Sequence, residues 1–129
     1  MILYVSFVSL HRSSMYIRMV SKGLMAASTK PLILSILKEG KSYGYLIIQR
    51  VKELSGGSVE WSDGMLYPVL HRLENEGFIV SEWIITREGR KRKYYSITEL
   101  GKRELIAEKE NWLNVHALLA KLWGLQPSV

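Results

Sequence analysis

A change in hydrophobic period near Phe78 restricts the fold of this chain more than any other feature of its sequence. Three segments before this point carry apolar residues at helical spacing, namely 32–37, 45–54 and 66–73. After it, residues 78–86 and 94–97 are rich in β-branched and aromatic side chains, which is typical of strands. A polar segment centred on Gly89 separates the two, so the pattern predicts three helices followed by a β-hairpin with a basic tip.

Capping residues and prolines define the expected helix boundaries. The expected N-caps of four helices are Ser28 or Thr29, Ser42, Ser62 and Thr98. Pro31 then falls in the first turn of the first helix, where its missing N–H costs little. Pro68 lies inside the third helix and is expected to distort the beginning of that helix.

A long helical pattern follows the hairpin and runs from Thr98 to about Trp123. The predicted fold class is therefore mainly α with a small β-hairpin (α+β), a winged helix-turn-helix with a long C-terminal dimerisation helix. We expect residues 1–25 to be an N-terminal extension of uncertain role. Residues 26–97 are the expected DNA-binding domain, and residues 98–124 the expected dimerisation helix.

The positive charge of the chain is concentrated in two segments. The formal net charge is +6, and residues 1–30 and 87–93 contribute +4 each, which leaves the remainder at −2. Basic patches favour a polyanionic partner such as double-stranded DNA. The chain has no cysteine, which excludes disulfides and thiolate zinc sites and is compatible with a reducing cytoplasm, where we expect the protein to act.

Several other classes of function are disfavoured by the sequence. No segment reaches the roughly 20 apolar residues that a transmembrane helix needs, so we expect no membrane partner. His71 and His116 are isolated from other metal-ligating side chains, and the sequence therefore predicts no metal and no cofactor. Neither a nucleophile–base pairing nor a phosphate loop is visible, so the chain is not expected to be an enzyme.

Several motifs occur together in the order in which one known family carries them. They are Tyr-Gly-Tyr (43–45), Leu-Ser-Gly-Gly (54–57), Leu-Tyr-Pro (66–68), Leu-His-Arg-Leu-Glu (70–74), Glu-Gly-Phe-Ile (76–79), Arg-Lys-Arg-Lys-Tyr-Tyr (90–95) and Ile-Thr-Glu-Leu-Gly (97–101). Over about residues 24 to 123, the chain resembles the PadR-like family of transcriptional regulators. It departs from the family at Met65, where threonine or serine usually supplies a hydroxyl group.

The resemblance implies a homodimeric regulator, usually a repressor, that binds a near-palindromic operator. Many members of the family respond to small aromatic or drug-like ligands. We expect the third helix to read bases and the hairpin to contact phosphates. The residues expected at the DNA are Lys41, Tyr43, Ser62, Asp63, Gly64, Met65, Tyr67, His71, Arg72, Arg90, Lys91, Arg92 and Lys93. The alternatives are a core position for Tyr67 and a merely solvated loop for the basic run.

The last helix carries apolar residues near one face, which indicates a dimer interface. The expected interface residues are Leu105, Ile106, Trp112, Leu113, His116, Leu119, Leu122 and Trp123. Trp112 and Trp123 are also candidates for a pocket that takes a small aromatic effector, although such tryptophans are more often interface core. The alternative function is a non-enzymatic adaptor that uses a winged-helix domain for protein contacts.

Overall fold

The computed structural model describes residues 20–125, which form four helices and a three-stranded antiparallel sheet. The elements in chain order are α1 (Lys22–Glu39), β1 (Ser42–Tyr43), α2 (Gly44–Leu54), α3 (Asp63–Asn75), β2 (Ile79–Ile85), β3 (Lys91–Ile97) and α4 (Glu99–Trp123). The predicted fold class, mainly α with a small β-hairpin, is confirmed. The expected N-terminal extension lies outside the described residues up to position 19, and α1 already begins within its last part.

Helix α1 begins earlier than predicted because Ser21 caps it. The Ser21 hydroxyl accepts a hydrogen bond from the Leu24 N–H at 3.1 Å. Ser28 and Thr29, the expected caps, lie inside the helix, where their hydroxyls donate to the carbonyl of Met25 at 2.9 and 2.8 Å. The same residue types that cap helices can form such backward bonds within them, so the prediction chose the wrong serine.

Two prolines remove hydrogen bonds from α1 and α3 without ending either helix. Pro31 lies in the middle of α1, where it leaves the carbonyl of Ala27 without its helical donor. Ala27 is exposed, so water can bind this oxygen. Pro68 likewise lies within α3, which is continuous from Asp63 to Asn75. The predicted distortion at the start of α3 does not interrupt the helix.

A two-residue strand that the sequence pattern did not predict completes the sheet. Strand β1 pairs with β3 through Ser42 opposite Tyr95 and Tyr43 opposite Tyr94. Ser42, the expected cap of the second helix, is therefore part of a strand, and Tyr43 takes the N-cap position of α2. Because the paired residues are far apart in the sequence, no local period reveals the strand.

We call the β2–β3 hairpin, residues 79–97, the wing. Its turn is closed by hydrogen bonds from the Thr86 N–H to the Arg90 carbonyl at 2.8 Å and from the Gly89 N–H to the Thr86 carbonyl at 2.9 Å. Gly89 has a φ of +80°, which glycine adopts without steric cost. Strand β3 begins at Lys91, earlier than predicted, so much of the basic run belongs to a strand rather than to the tip.

The core joins all the helices to the base of the wing. Its largest fully buried side chains are Ile33, Leu34, Ile47, Leu66, Leu70, Leu73, Ile79 and Leu105. Leu66, Leu70 and Leu73 lie on one stripe of α3, as the helical spacing predicted. This stripe fixes α3 on the body of the protein and leaves its other face free for contacts.

Helix α4 begins directly against the turn that links α3 to the wing. Thr98 is its N-cap, as predicted: the Thr98 hydroxyl accepts from the Gly101 N–H at 3.0 Å and donates to the Gly77 carbonyl at 2.6 Å. The Thr98 N–H also donates to the Phe78 carbonyl at 3.0 Å. A Cβ atom on Gly101 would lie 2.8 Å from Cγ1 of Ile97 and closer still to the Phe78 carbonyl oxygen. We call this contact the wing–α4 junction.

The first half of α4 packs against α1 of the same chain. Leu105, an expected dimer-interface residue, is only 1% exposed and belongs to the core. Lys30 of α1 forms ion pairs with Glu104 and, at 3.4 Å, with Glu108. Burial disfavours the charged ammonium group, but hydrogen bonds and attraction from the two carboxylates outweigh this effect and raise the pKa of Lys30.

Candidate nucleic-acid interface

An open groove of about 1110 Å³ lies between α3 and the wing, with the beginning of α2 at its side. The residues that line it are Tyr43, Gly44, Tyr45, Tyr67, Pro68, His71, Trp83, Arg90, Lys91, Arg92, Lys93 and Tyr95. Within residues 20–125, this lining includes four cations and no carboxylate. The groove therefore combines positive potential with aromatic surface, which suits a polyanion.

Aromatic rings hold two of the wing cations in place. The guanidinium group of Arg92 lies 4.6 Å from the centre of the Tyr43 ring, a cation–π distance. The ammonium group of Lys93 lies 5.6 Å from the centre of the Tyr95 ring and 4.0 Å from a carboxylate oxygen of Glu74 on α3. Both positive charges are thus oriented by the fold before any ligand arrives.

The turn of the wing keeps its acidic residue ionised. Hydrogen bonds from its own backbone N–H and from the Thr86 hydroxyl lower the pKa of Glu88, and attraction to Arg92 adds to the effect. The segment 87–93 accordingly keeps a formal charge of +4 near neutral pH. Arg90 and Lys91 are exposed beside this turn, where a polyanion can reach them.

Tyr67 of α3 lies against the first residue of α2. A Cβ atom on Gly44 would come within 2.9 Å of Cζ of Tyr67, so only glycine lets the ring take this position. Tyr67 is 44% exposed and its ring lies in the groove. Tyr95 beside it is buried, and this burial raises the pKa of Tyr95, with smaller contributions from Tyr67 and Glu74. The Tyr95 hydroxyl therefore stays protonated and able to donate at neutral pH.

The first turn of α3 is capped as predicted. The Ser62 hydroxyl accepts a hydrogen bond from the Met65 N–H at 3.2 Å. Asp63 and Gly64 are exposed in this turn, beside the groove rather than among its lining residues. Met65 is partly buried and packs against the core, so its side chain serves the fold. A contact of this turn with a ligand consequently depends on its exposed residues and its backbone.

Like the first turn of α3, Lys41 and Arg72 lie outside the groove. Lys41 is on the outer face of the sheet, 3.6 Å from a carboxylate oxygen of Glu82. Arg72 is exposed on α3 and lies 3.7 Å from Glu76 one turn later. His71, by contrast, lines the groove. The structure thus gathers Tyr43, Tyr67, His71 and residues 90–93 of the expected set in one place.

Five residues of the groove were not among those expected at the DNA, namely Gly44, Tyr45, Pro68, Trp83 and Tyr95. Trp83 lies on the same face of β2 as Ile79 and Ile85, since side chains alternate along a strand. Ile79 is fully buried, whereas Trp83 and Ile85 are 63% and 67% exposed. The apolar face of β2 is therefore buried at Ile79 but exposed at Trp83 and Ile85, because the wing projects from the core into solvent. The alternation of side chains along the strand does not reveal this change in exposure.

The second half of α4 exposes apolar side chains on more than one face. These are Leu113, Val115, Leu118, Leu122 and Trp123, and Ile106 is exposed earlier in the helix. His116 is also exposed, while Trp112 and Leu119 are partly buried. Val115 and Leu118 were not among the expected interface residues.

A small apolar cleft of about 230 Å³ lies between α1 and α4. It is lined by residues that include Pro31, Leu32, Leu105 and Trp112. Trp123, the other expected pocket residue, is at the far end of α4, roughly 16 Å further along the helix axis at about 1.5 Å per residue. The two tryptophans therefore do not share a pocket within one protomer.

Comparison with known proteins gives consistent results. The model of the transcriptional regulator PadR-like family matches residues 33–107. An uncharacterised protein of Lysinibacillus sphaericus is 32% identical over 101 residues, covering 78% of this chain and 93% of that protein. The negative transcriptional regulator PadR of Bacillus subtilis is 34% identical over 87 residues, covering 67% of this chain but only 46% of its own length. The solved structure of a PadR-like transcriptional regulator from Bacillus cereus has a TM-score of 0.71 and 28% identity, covering 81% of this chain and all of that one.

Within the part of the chain that the structure describes, no helix is both long enough and apolar enough to cross a membrane.

Proposed function

Because the chain belongs to the PadR-like family of transcriptional regulators, we propose that it is a sequence-specific repressor that binds a near-palindromic operator as a homodimer. Helix α3 enters the major groove and the wing lies along the adjoining backbone. The sign of regulation is suggested by the Bacillus subtilis relative, which is a negative regulator. As a transcriptional regulator the chain is not an enzyme.

The observation that carries this proposal is the groove between α3 and the wing. Arg92 and Lys93 are held in place there by aromatic rings, while Arg90 and Lys91 remain exposed. Ordered cations of this kind contact phosphates with little loss of side-chain entropy. Helix α2 also begins beside the groove, where its N–H groups favour an anion.

The exposed apolar half of α4 supports the homodimer. Leu113, Val115, Leu118, Leu122 and Trp123 are each more than half exposed on this one helix. Covering that surface with the same helix of a second copy removes it from water and gives a two-fold assembly. Such symmetry matches an operator whose half-sites lie about one helical turn, roughly 34 Å, apart.

The cleft between α1 and α4 is the proposed site for a small aromatic effector. Its apolar lining includes Trp112, whose ring can stack on an aromatic ligand. Its volume of about 230 Å³ is below that of most drug-binding pockets, about 300 Å³ and more, and suits a one- or two-ring molecule. Quenching of tryptophan emission by such molecules, absent in Trp112→Phe, is the expected sign of binding.

The proposed function is tested by selecting bound duplexes from a random pool and titrating the selected duplex with salt. A sequence-specific protein binds the winner far more tightly than random DNA, and its affinity falls with salt by about 0.9 log unit per phosphate contact. The double variant Arg90→Ala, Arg92→Ala is expected to reduce this slope by about one to two units.

A matched control removes equal charge away from the groove. Lys38→Ala with Arg103→Ala changes two exposed cations on α1 and α4 and is expected to leave the slope as in the wild type. Equal binding of the wild type to all duplexes contradicts the proposed function. The adaptor alternative predicts this result together with a stable complex with another protein.

A further inference from the structure

Trp83 and Ile85 form an exposed apolar surface on the wing. They lie opposite Lys93 and Lys91 in the β2–β3 pairing, and directly opposed residues share one face of a sheet. Lys93 reaches Glu74 on α3, so this face of the wing is turned toward α3. The indole of Trp83 lines the groove and is nevertheless 63% exposed.

Single exposed apolar residues are common on proteins, but this pair has unusual surroundings. The same groove holds the cations of residues 90–93, and none of its lining residues within the described chain is acidic. A partner that covers Trp83 must therefore be negatively charged and also offer apolar surface. The backbone of DNA meets both conditions, because each phosphate is followed by a deoxyribose ring.

We propose that Trp83 and Ile85 pack against deoxyribose rings of the minor-groove walls next to the site occupied by α3. This inference rests on the proposed function and assigns it a contact that needs no charge. The cations beside the two residues bring the phosphates close, and the indole then removes sugar surface from water. The wing thus contributes two separable kinds of affinity, one sensitive to salt and one insensitive.

Because only one of the two contributions depends on salt, the apolar contact can be tested by itself on the selected duplex. Trp83→Thr removes the indole but keeps a β-branched residue suited to a strand. We expect it to weaken binding about tenfold at every salt concentration, which corresponds to about 1.4 kcal/mol. The slope of affinity against salt is expected to stay at the wild-type value, since no phosphate contact is lost. Trp83→Phe is expected to recover part of the affinity because it retains an aromatic ring.

The control is Val80→Thr on the same strand. Val80 is 53% exposed and lies opposite Ser96, on the other face of the sheet from Trp83. It is expected to bind the duplex as the wild type does. An equal loss in Val80→Thr and Trp83→Thr would overturn the proposal by showing a general effect on the strand.

Tryptophan fluorescence supplies a second measurement that does not depend on affinity. Acrylamide quenching is compared between the wild type and Trp83→Phe, because their difference reports Trp83 alone. The duplex is expected to protect this component from the quencher. The proposal is overturned if the quencher reaches Trp83 fully in a complex saturated with duplex. It is also overturned if Trp83 becomes protected without DNA as the protein concentration rises, because that result assigns the surface to another copy of the chain.

Different results would contradict the proposed function and the contact between Trp83 and DNA. Wild-type protein that prefers no duplex contradicts the proposed function itself. Wild-type protein that binds its selected duplex tightly, while Trp83→Thr binds equally well with an intact fold by circular dichroism, contradicts only the contact between Trp83 and the sugars.

Discussion

Substitution of Gly101 by alanine is expected to destabilise the protein, although the same change in most helices is neutral or favourable. A Cβ atom at this position would lie 2.8 Å from Cγ1 of Ile97, 3.0 Å from the carbonyl carbon of Phe78, and closer still to its oxygen. Two of these three atoms belong to the backbone, so rotation of a side chain cannot relieve the clash. Helix α4 must instead move away from the turn that precedes the wing.

The magnitude follows from two opposing effects. Alanine improves helix propensity by up to about 1 kcal/mol over glycine. Overpacking against fixed atoms typically costs about 1–3 kcal/mol. Moving α4 away from the turn also strains the Thr98 hydrogen bonds at the junction, each of which contributes roughly 1 kcal/mol. We expect a net loss of about 2 kcal/mol, which lowers the melting temperature of a domain of this size by roughly 10 °C.

The assay is thermal unfolding followed by far-UV circular dichroism at one fixed protein concentration, because self-association would shift the transition. Gly64→Ala is the matched control, since Gly64 also lies in a first helical turn and its nearest contact would be Oγ of Ser62 at 3.9 Å. It is expected to raise stability by a few tenths of a kcal/mol to about 1 kcal/mol. The reasoning is refuted if Gly101→Ala melts within about 2 °C of the wild type.

Three further changes test other parts of the structure. Ser62→Ala removes the N-cap of α3 and should lower the free energy of unfolding in urea by about 1 kcal/mol. Ser62→Asp should retain most of the wild-type stability, because aspartate also caps helices; equal losses in the two variants would contradict the capping role. Gly44→Ala should displace the ring of Tyr67 and weaken duplex binding about fivefold with little loss of stability, and unchanged binding would show that the ring position is irrelevant. The pKa of Lys30 is raised above its ordinary value of 10.5, so its ion pairs stabilise the fold below that pH and lose this effect as pH rises through the raised pKa. The stability advantage of the wild type over Lys30→Gln, measured by urea unfolding, should therefore shrink above about pH 10.5, and a constant advantage would contradict the assignment.

Local chemistry made part of the fold predictable from the sequence. Ser62 and Thr98 cap their helices as expected, because each is followed directly by a helical pattern. The first cap was misplaced because Ser21, Ser28 and Thr29 are chemically equivalent candidates. Only packing of the whole helix decides which hydroxyl faces the free N–H groups.

Features that depend on distant residues could not be read from the sequence. The pairing of β1 with β3 and the burial of Leu105 both require contacts far along the chain. In the candidate interface, the basic residues of the wing were identified because charge is visible in the sequence. Trp83 was missed because its exposure depends on where the wing leaves the core, and the same residue type at position 61 is buried.

If the chain acts as the proposed homodimer, the wing–α4 junction bears on the spacing of the operator half-sites. It joins the wing to α4 through Thr98 and Gly101, by short hydrogen bonds and backbone packing rather than through a flexible linker. In the proposed homodimer, the helical phase between two α3 helices is therefore fixed by residues that lie away from the groove. One base pair inserted at the centre of an operator turns one half-site by roughly 34° relative to the other, and in the proposed homodimer the contacts at this junction oppose that rotation. The preferred spacer length of the operator would then be encoded at the start of α4.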